Sequence, residues 1–403
     1  MRAAKLFLVS TVVIDAMGIG LIMPVMPDLL REITGSDIGN AALWGGLLAT
    51  AFALMQFLCA PALGALSDRF GRRPVLFGAL GGMAVDYVVM GFAGTIWLLL
   101  LGRIVAGITA ATQAVASAAM SDLSRPEEKA QNFGLIGAGF GIGFVIGPLL
   151  GGLLGEFGTR APFFAAAALA ALNLLIGYLA LPETVTEERR RPVDVRRLDP
   201  LGAFRALRRI PGTSRALAVF FLLQMAFFVY PSIWSYYGVA RFGWDPGLIG
   251  FSLGIFGITA AIMQGGLIRV FLRHLGERGT VIYGLTMNSL VFILLAFLQS
   301  GTLVLILVPL AGFAAVTSPA IQGLVARVVP DDEQGALQGL FSATGAMAAI
   351  LSPPVMTTTF FWFTRGEDGF AGAPFLLSVG LLGIALALML GPGGVGKPSR
   401  SLA

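Results

Sequence analysis

Charged residues are scarce in this chain. Only 12% of its 403 residues are Asp, Glu, Lys or Arg, whereas 56% are hydrophobic. A soluble protein usually carries about twice that charge fraction. Many apolar runs have a length of roughly twenty residues, which is enough to cross a bilayer core. The composition therefore excludes an ordinary soluble protein and predicts an all-α polytopic protein embedded in the lipid bilayer.

Histidine and cysteine are almost absent. With Cys59 as the sole cysteine, no intrachain disulfide can form, and a small buried residue is its expected role. An intramembrane enzyme would need a Ser–His pair or a metal cluster, so we expect no enzymatic activity, no metal and no cofactor. A primary pump would need a nucleotide-binding G-x-x-x-x-G-K-[ST] motif, which the sequence lacks.

The net charge of +5 does not indicate a nucleic-acid partner, because most basic residues fall in short loops between apolar runs. With both termini and the even-to-odd loops on one side, that side holds 22 Lys and Arg residues and the other holds 4. Positive residues accumulate on the cytoplasmic side. We therefore expect both termini to lie in the cytoplasm.

Apolar runs between polar breaks predict twelve membrane-spanning helices. They cover residues 5–27, 44–66, 75–93, 95–120, 131–155, 161–181, 215–238, 247–270, 279–299, 301–326, 335–362 and 370–391. The first run lacks a small-residue cleavage site and another span follows it, so we expect it to be retained.

A long polar segment after the sixth span divides the chain into two halves. The predicted organisation is a six-helix bundle over 1–181, a cytoplasmic linker over 182–214, a second bundle over 215–392 and a tail over 393–403. The halves resemble each other weakly, since aligning the segments after spans two and eight sets Gly71 against Gly276. Two parallel repeats around a central cavity are typical of transporters.

The loop after span two reads GALSDRFGRRP over 64–74. Gly64 is expected to permit close helix approach. Asp68 is expected to cap the following helix or to pair with a basic residue across the two halves. The loop arginines, whose positive charge also satisfies the orientation rule, are Arg69, Arg72 and Arg73.

The fifth span contains GAGFGIGFVIGPLLGGLLG over 137–155, in which every fourth residue from position 139 to 155 is glycine. Such a stripe lies on one helix face and allows backbone contact with a neighbouring helix. We expect that neighbour to come from the second half, with 342–354 in span eleven as the candidate. Two roles are considered for Gly143, Gly147, Pro148 and Gly151: helix packing alone, or helix packing together with gating.

These motifs resemble those of the major facilitator superfamily. The loop matches its signature between spans two and three, LGRIVAG (101–107) its fourth-span motif, and GFVIGPLLGG (143–152) the fifth-span motif of its proton antiporters. The segments STVVIDAMGIGLIMPVMPDLLREI and RFGWDPGLIGFSLGIFGI are similar to those of tetracycline efflux antiporters. The resemblance implies export of a tetracycline-like drug in exchange for protons, and we expect a monomer to suffice.

Three ionisable residues fall within the first-half spans: Asp15, Asp86 and Arg103. Such residues are costly in lipid and usually face a cavity or pair with one another. We expect Asp15 to carry the proton and to gain and lose Arg103 as the cavity opens to alternate sides. The alternative is a static Asp–Arg pair. Asp86 is expected to serve proton coupling, a substrate or an outer gate.

The second half offers uncharged polar and aromatic residues within its spans, which suit a bulky amphiphilic substrate. Each of them is more often a packing residue than a ligand contact. The candidate substrate-binding residues of both halves are Gln56, Gln113, Gln224, Tyr230, Trp234, Tyr237, Gln264, Asn288 and Gln322.

The sequence departs from the tetracycline exporters at two positions. Ala260 and Asn288 stand where those proteins carry a histidine and an aspartate, and His274 lies in the predicted 8–9 loop. Proton coupling must then rest on the first half or work differently. The alternatives are a facilitator of a metabolite or unrelated drug, with altered or absent coupling, and a receptor that binds a ligand without transport.

Overall fold

The computed structural model describes residues 2–110, 112–185, 190, 199–202, 204, 213–327, 329–330, 333–366 and 369–391. Within these ranges the regular secondary structure is helical. The predicted linker (182–214) lies largely outside the described residues. The predicted tail (393–403) lies entirely outside them.

The first half of the chain forms eight α-helices in its described part. They are α1 (Arg2–Ile22), α2 (Met26–Thr34), α3 (Ile38–Phe70), α4 (Arg72–Phe92), α5 (Ile96–Thr109), α6 (Thr112–Asp122), α7 (Lys129–Gly155) and α8 (Ala161–Ala180).

The second half forms eight more α-helices in its described part. They are α9 (Ser214–Phe227), α10 (Val229–Phe242), α11 (Pro246–Ile262), α12 (Ile268–Phe297), α13 (Gly301–Phe313), α14 (Thr317–Ala326), α15 (Gln334–Thr364) and α16 (Ala373–Leu390).

Each of the twelve predicted spans is helical over most of its described residues. Eleven continuous helical segments among the described residues are long and apolar enough to cross a membrane, and one of them, Pro246–Phe297, is 52 residues long. It contains both predicted spans eight and nine, divided at Gly276, where φ is 67° and ψ is 176°. The 8–9 connection was expected to be a loop, but it is helical up to this glycine.

Two of the later spans are interrupted close to prolines. Span seven breaks at Phe228, between α9 and α10. Pro231 has no N–H to donate to the carbonyl four residues earlier, so the helix cannot continue regularly there. Span ten likewise passes through a tighter turn over Ala314–Val316 just before Pro319.

The short helix α2 lies outside the spans, and hydropathy did not reveal it. Leu29 and Leu30 are fully buried on one of its faces, whereas Glu32 on the other face pairs with Arg160 at 3.0 Å. Gly35 ends the helix in the left-handed region, with φ of 63°. Its nine residues, MPDLLREIT, combine an apolar face with charged residues, which is typical of a surface helix.

The chain packs into two units. The first comprises Met1–Pro200 with Trp244–Gly254, and the second comprises Leu201–Gly243 with Ile255–Ala403. The beginning of span eight therefore belongs to the first unit, although it follows span seven in the chain.

The first unit is organised around α1, which packs on α7, α8 and α6. Its cluster of buried apolar side chains holds the first helix in contact with the fourth and sixth. The cluster consists of Ala4, Phe7, Leu8, Val12, Leu76, Leu80, Val115, Ala116, Ala119, Met120, Ile136 and Leu181.

Candidate functional site

The first unit holds an ion pair within its spans. Asp86 on α4 is 3% exposed, and Arg103 on α5 donates from Nη2 to its Oδ2 at 2.5 Å. The guanidinium carbon also lies 5.5 Å from the centre of the Phe52 ring. An enclosed charge is costly unless it is paired. Asp86 and Arg103 are therefore partners in this structure.

A glycine makes room for this pair. A Cβ on Gly102 would lie 2.7 Å from Asp86 Oδ1, so α5 approaches the carboxylate more closely than a larger residue would allow. Among the described residues, neither Asp86 Oδ1 nor Arg103 Nε has a hydrogen-bond partner. The pair thus has unused hydrogen-bonding capacity on both the acid and the base.

Asp15 occupies a separate position on α1. Its side chain is half-buried, and the Thr112 side chain of α6 lies within hydrogen-bonding range. The expected partner was Arg103, but Arg103 is bonded to Asp86. The sequence identified all three ionisable residues, whereas the pairing between them follows from how α4 and α5 pack. Sequence reasoning did not identify Thr112 as a neighbour of Asp15.

The signature loop is organised around Arg72. Its Nη2 lies 2.6 Å from Asp68 Oδ1 and its Nε lies 3.3 Å from Asp122 Oδ2. Its Nη1 donates to Ser67 Oγ at 2.5 Å. Asp68 therefore pairs with an arginine of its own loop, and the expectation that it caps the following helix was wrong.

The residue that caps α4 is Glu183, which sequence reasoning missed. Its Oε1 accepts from the Arg72 backbone N–H at 2.9 Å and its Oε2 from that of Arg73 at 3.2 Å. A carboxylate at a helix N-terminus accepts hydrogen bonds from the free N–H groups there and interacts favourably with the positive end of the helix dipole. A Cβ on Gly71, whose φ is 106°, would collide with this carboxylate. The contact joins the end of span six to the signature loop.

The remaining loop residues have unequal roles. Arg73 donates from Nη2 to the Tyr178 carbonyl at 2.8 Å, whereas Arg69 is exposed and lies over the Phe70 ring at 5.2 Å. A Cβ on Gly64 would meet no other described atom within 4 Å. The expected close helix approach at Gly64 is therefore absent from the described residues.

The glycine stripe of α7 packs against the first helix. Added Cβ atoms at Gly143, Gly147 and Gly151 would collide with the α1 backbone. The carbonyl oxygens they would meet belong to Val13, Met17 and Leu21. The expected partner was a second-half helix around 342–354, but the neighbour along these three glycines is α1, the helix that carries Asp15.

A second face of α7 does contact a second-half helix, although not the expected one. A Cβ on Gly152 would lie 2.5 Å from the Pro246 carbonyl oxygen, and one on Gly250 would collide with the Pro148 carbonyl oxygen. Gly152 and Gly250 also approach each other closely. The beginning of span eight, which belongs to the first unit, is thus the partner of this face.

The second unit contains a set of six contacting rings, the aromatic cluster: Phe227, Tyr230, Trp234, Phe256, Phe292 and Phe375. The Tyr230 ring centre lies 5.1 Å from that of Phe256 and 5.4 Å from that of Phe292. Such pairs attract one another beyond their buried area. The cluster brings together side chains of α9, α10, α11, α12 and α16.

Two buried polar atoms accompany the aromatic cluster. The Tyr230 hydroxyl and Asn288 Oδ1 have no hydrogen-bond partner among the described residues. Asn288 is 3% exposed and precedes Phe292 by one turn of α12. Leaving such groups unpaired costs about 1–3 kcal/mol each. By contrast, Tyr237 is fully buried and donates to the Leu295 carbonyl at 2.5 Å, as a core residue would.

The glutamines named from the sequence differ in exposure. Gln56, Gln113 and Gln264 are exposed, while Gln224 and Gln322 are half-buried. The Gln322 side-chain amide lies 3.5 Å from Ser318 Oγ.

Gln264 lies in a single wide helical turn, Met263–Leu267, between α11 and α12. Turns of this kind are rare and occur frequently at functional sites. His274 is exposed on α12, and Ala260 is half-buried on α11. The described part of span eight thus offers an amide but no buried ionisable group.

The described residues form eleven membrane-length helical segments. Together with the ion pair in the first unit and the aromatic cluster in the second, they define a multi-pass membrane transporter. The chain belongs to the Major Facilitator Superfamily, which it matches over residues 8–353 and again over 241–401. It is therefore a transporter of small molecules and not an enzyme.

Individual relatives are similar over most of their length. The chain is 43% identical to the tetracycline resistance protein, class C, of Escherichia coli, over 89% of each chain. It is 38% identical to the class G protein of Vibrio anguillarum, over 88% of this chain and 89% of that one. Its structure resembles that of the human organic anion transporter MFSD10, with a TM-score of 0.70, 27% identity and coverage of 96% and 99%.

Proposed function

We propose that this chain is a secondary active exporter that exchanges a tetracycline-like amphiphilic drug for protons by alternating access. The observation that carries the proposal is the set of ionisable groups inside the spans of the first unit, Asp15 and the Asp86–Arg103 pair. Ionisable residues at membrane depth mark ion and proton pathways. The relatives named tetracycline resistance proteins support the drug class.

Asp15 is the proposed proton carrier. It is half-buried beside Thr112 and is not bonded to Arg103. Proton binding would neutralise a charge on α1 that is costly in an apolar environment. Because α1 packs backbone to backbone on α7, a change in the position of α1 is transmitted to the glycine motif. Gly143, Gly147, Pro148 and Gly151 are therefore the proposed gating residues inside the membrane.

The signature loop is the proposed gate on the cytoplasmic side. Asp68, Arg72 and Asp122 join spans two, three and four in one network, and Glu183 adds the end of span six. These contacts involve charged groups that are partly exposed, so each contributes little stability and can be broken at a modest cost. Arg69, Arg73, Gly64 and Gly71 complete the proposed motif.

The aromatic cluster is the proposed substrate side. Tyr230 and Asn288 supply polar atoms that lack partners among the described residues, next to ring faces on which an aromatic ligand could stack. Ligand sites combine apolar walls with a few polar anchors. The other proposed contacts are Gln56, Gln113, Gln224, Trp234, Tyr237, Gln264 and Gln322.

A second candidate function is facilitated diffusion of a metabolite or unrelated drug. It is favoured by the neutral residues Ala260 and Asn288, which stand where the tetracycline exporters carry ionisable side chains. A receptor that binds a ligand without flux is the third alternative. Flux with and without a proton gradient separates all three.

The experiment uses purified protein in proteoliposomes with an imposed pH gradient and tetracycline as the probe. Antiport predicts uptake against the tetracycline gradient that a protonophore abolishes. Asp15→Asn should lose this uptake and keep tetracycline exchange at equal pH. Glu127→Gln, which removes an exposed acid outside the spans, is the matched control. Flux that ignores the pH gradient would support the facilitator, and binding without flux the receptor.

Location and assembly complete the proposal. We infer a bacterial inner membrane, because the similar tetracycline resistance proteins are bacterial. We infer cytoplasmic termini, because the basic residues divide 22 to 4 between the two sides. We also propose that a monomer is functional. Reporter fusions at each terminus would test the orientation, and an enzyme reporter active only outside the cytoplasm should be silent at both.

A further inference from the structure

The break in span seven lies inside the aromatic cluster. Phe227 is the last residue of α9 and Tyr230 is the second residue of α10, and their ring centres lie 5.6 Å apart. Backbone hydrogen bonds cross the break from the Phe228 N–H to the Gln224 carbonyl at 3.0 Å and from the Ser232 N–H to the Phe228 carbonyl at 3.1 Å. The angle between α9 and α10 therefore decides how the rings on the two sides of the break face each other.

Two buried serines from other helices bond the carbonyls just before this break. Ser352 on α15 donates from Oγ to the Met225 carbonyl at 2.8 Å, and Ser378 on α16 donates to the Ala226 carbonyl at 3.3 Å. Both serines are fully buried. A regular helix would pair each of these carbonyls with the N–H group four residues later, which belongs to α10. The serines therefore hold α9 at the point where its carbonyls face α10.

The Ser352 bond differs from those of other hydroxyls in the same helix. Hydroxyls inside helices commonly bond a carbonyl of the preceding turn, as those of Thr344 and Thr357 on α15 do at 2.7 and 2.8 Å. Ser352 reaches a different helix instead. The Ser378 hydroxyl also lies 3.0 Å from the Pro374 carbonyl of its own helix, so its single proton is shared between two acceptors. Ser352 is therefore the stronger of the two contacts.

The position of these hydroxyls matches the requirement of a broken helix in the membrane. A buried hydroxyl is costly unless it is bonded, and serine side chains of neighbouring helices can bond backbone groups where a membrane helix is interrupted. The helix α16 also contributes a ring to the cluster. Phe375 lies one turn before Ser378, on the same face, and its ring centre is 6.4 Å from that of Trp234 on α10. The contact with Ala226 thus fixes α16 beside a ring that follows the break.

We propose that Ser352, and more weakly Ser378, are positioning residues for the substrate. By bonding the end of α9, they fix the direction in which α10 leaves the break, and with it the places of Tyr230 and Trp234. The inference rests on the proposed substrate side in the aromatic cluster and adds the residues that hold its rings in place.

The first test is Ser352→Ala, with tetracycline as the probe in equilibrium binding and in proteoliposome uptake. We expect binding to weaken and KM to rise by about tenfold, while the maximal rate stays within about twofold, because a misplaced ring weakens ground-state and transition-state binding alike. The pH dependence of the maximal rate should not change. Ser352→Thr keeps the hydroxyl and should recover most of the lost binding.

The matched control is Thr344→Val. It removes a buried hydroxyl from the same helix, one that bonds the Leu340 carbonyl within that helix, and it keeps the size of the side chain. Its KM should equal that of wild type, even where its melting temperature falls as far as that of Ser352→Ala. An equal rise in KM for the two variants would indicate general damage to α15 and would overturn the positioning role.

Ser378→Ala provides a second and milder variant. Because its hydroxyl is shared with the Pro374 carbonyl, we expect a smaller rise in KM, of about two- to threefold. If Ser352→Ala does not fold, Ser378→Ala decides the question. A KM equal to that of wild type would then contradict the positioning role.

Tyr230→Ala separates this inference from the proposed function on which it rests. If Tyr230→Ala binds tetracycline as tightly as wild type, the aromatic cluster is not the substrate side and the positioning role falls with it. If Tyr230→Ala weakens binding and Ser352→Ala does not, the positioning role is wrong and the proposed substrate side stands. Weaker binding in both variants, with normal binding in Thr344→Val, supports the inference.

Discussion

Each unit has a glycine with positive φ at the equivalent connection between two spans. The charged residue that follows this glycine has opposite sign in the two units. Gly71 and Gly276 both have positive φ, 106° and 67°, and each separates two helices at equivalent places, as their alignment predicts. In the first unit the next residue, Arg72, pairs with Asp122 at the end of α6. In the second unit the next residue is Glu277. It pairs with Arg327, just after α14, at 2.6 Å.

Both halves of the repeat therefore keep an ion pair at this place, but the acidic and basic partners are exchanged between them. In the first unit the ion pair joins the loop between spans two and three to the end of span four. In the second unit it joins the connection between spans eight and nine to the end of span ten. An attraction between opposite charges serves this purpose in either direction. The units differ more deeply inside the membrane, where the first has two acids and an arginine and the described spans of the second have an aromatic cluster instead. Proton handling is thus proposed for the first unit, and the aromatic part of substrate binding for the second.

The largest effect is expected from breaking the intramembrane pair of the first unit. Arg103→Ala leaves the Asp86 carboxylate buried without its partner, which typically costs about 3–5 kcal/mol. Thermal unfolding in detergent should show a large fall in melting temperature, and adding Asp86→Asn should restore part of it. In the second unit, Asn288→Ala removes a buried amide oxygen that has no hydrogen-bond partner among the described residues, so the melting temperature should change little. Equal losses for Arg103→Ala and Asn288→Ala would contradict the contrast between the units.

A smaller effect is expected from crowding the contact between α1 and α7. Gly147→Ala places a methyl group against the α1 backbone, and overpacking of this kind costs about 1–3 kcal/mol. Gly141 lies on the same helix, and a Cβ there would meet no other described atom within 4 Å. Gly141→Ala should therefore be neutral or raise the melting temperature. Destabilisation by both substitutions to the same degree would argue against the stripe.

The sequence predicted the features that depend on composition and local order. Hydropathy predicted the twelve spans, and the motifs predicted the signature loop and the glycine stripe. The positions of Asp15, Asp86 and Arg103 inside apolar runs identified them as candidate functional residues. The helix α2 was missed because a search for long apolar runs does not detect a nine-residue helix with both apolar and charged residues.

Features that depend on packing could not be predicted from the sequence. Glu183 caps a helix that begins 111 positions earlier in the chain, and no local sequence pattern indicates such a long-range contact. The pairing of Arg103 with Asp86, and the choice of α1 as partner of the stripe, depend likewise on how helices lie in space.

The two loop pairs should differ in strength because they differ in exposure. The Arg72 side chain is 13% exposed, whereas that of Arg327 is 77% exposed. Exposed ion pairs contribute about 0–1 kcal/mol. Arg72→Gln should therefore lower the melting temperature and transport more than Arg327→Gln. Exchanging the charges with Glu277→Arg and Arg327→Glu should be nearly silent, and a severe loss in that double variant would contradict a simple attraction.

The smallest effect concerns pH dependence on α2. Hydrogen bonds from Thr159 and Arg160 hold the pKa of Glu32 below its ordinary value of 4.5. The ionised carboxylate therefore stabilises the fold above about pH 4.5, and this contribution is lost as the pH falls through the lowered pKa. The melting temperature of wild type minus that of Glu32→Gln should shrink between pH 6 and pH 3.

Asp28 on the same helix is the matched control. Burial raises its pKa above the ordinary value of 3.8, more than Arg31 lowers it. Its ionisation therefore costs stability as the pH rises, and Asp28→Asn should gain relative to wild type in that direction. Two variants that change in the same direction would contradict the assigned causes.

The most direct measurement of the central claim is proton release on substrate binding. Purified protein in weakly buffered detergent solution is mixed with tetracycline, and a pH-sensitive dye records the protons set free. The account predicts release from wild type and from Asn288→Ala at saturating tetracycline, and none from Asp15→Asn even when tetracycline is bound. Release from Asp15→Asn equal to that of wild type would show that the first unit does not carry the exchanged proton on this residue.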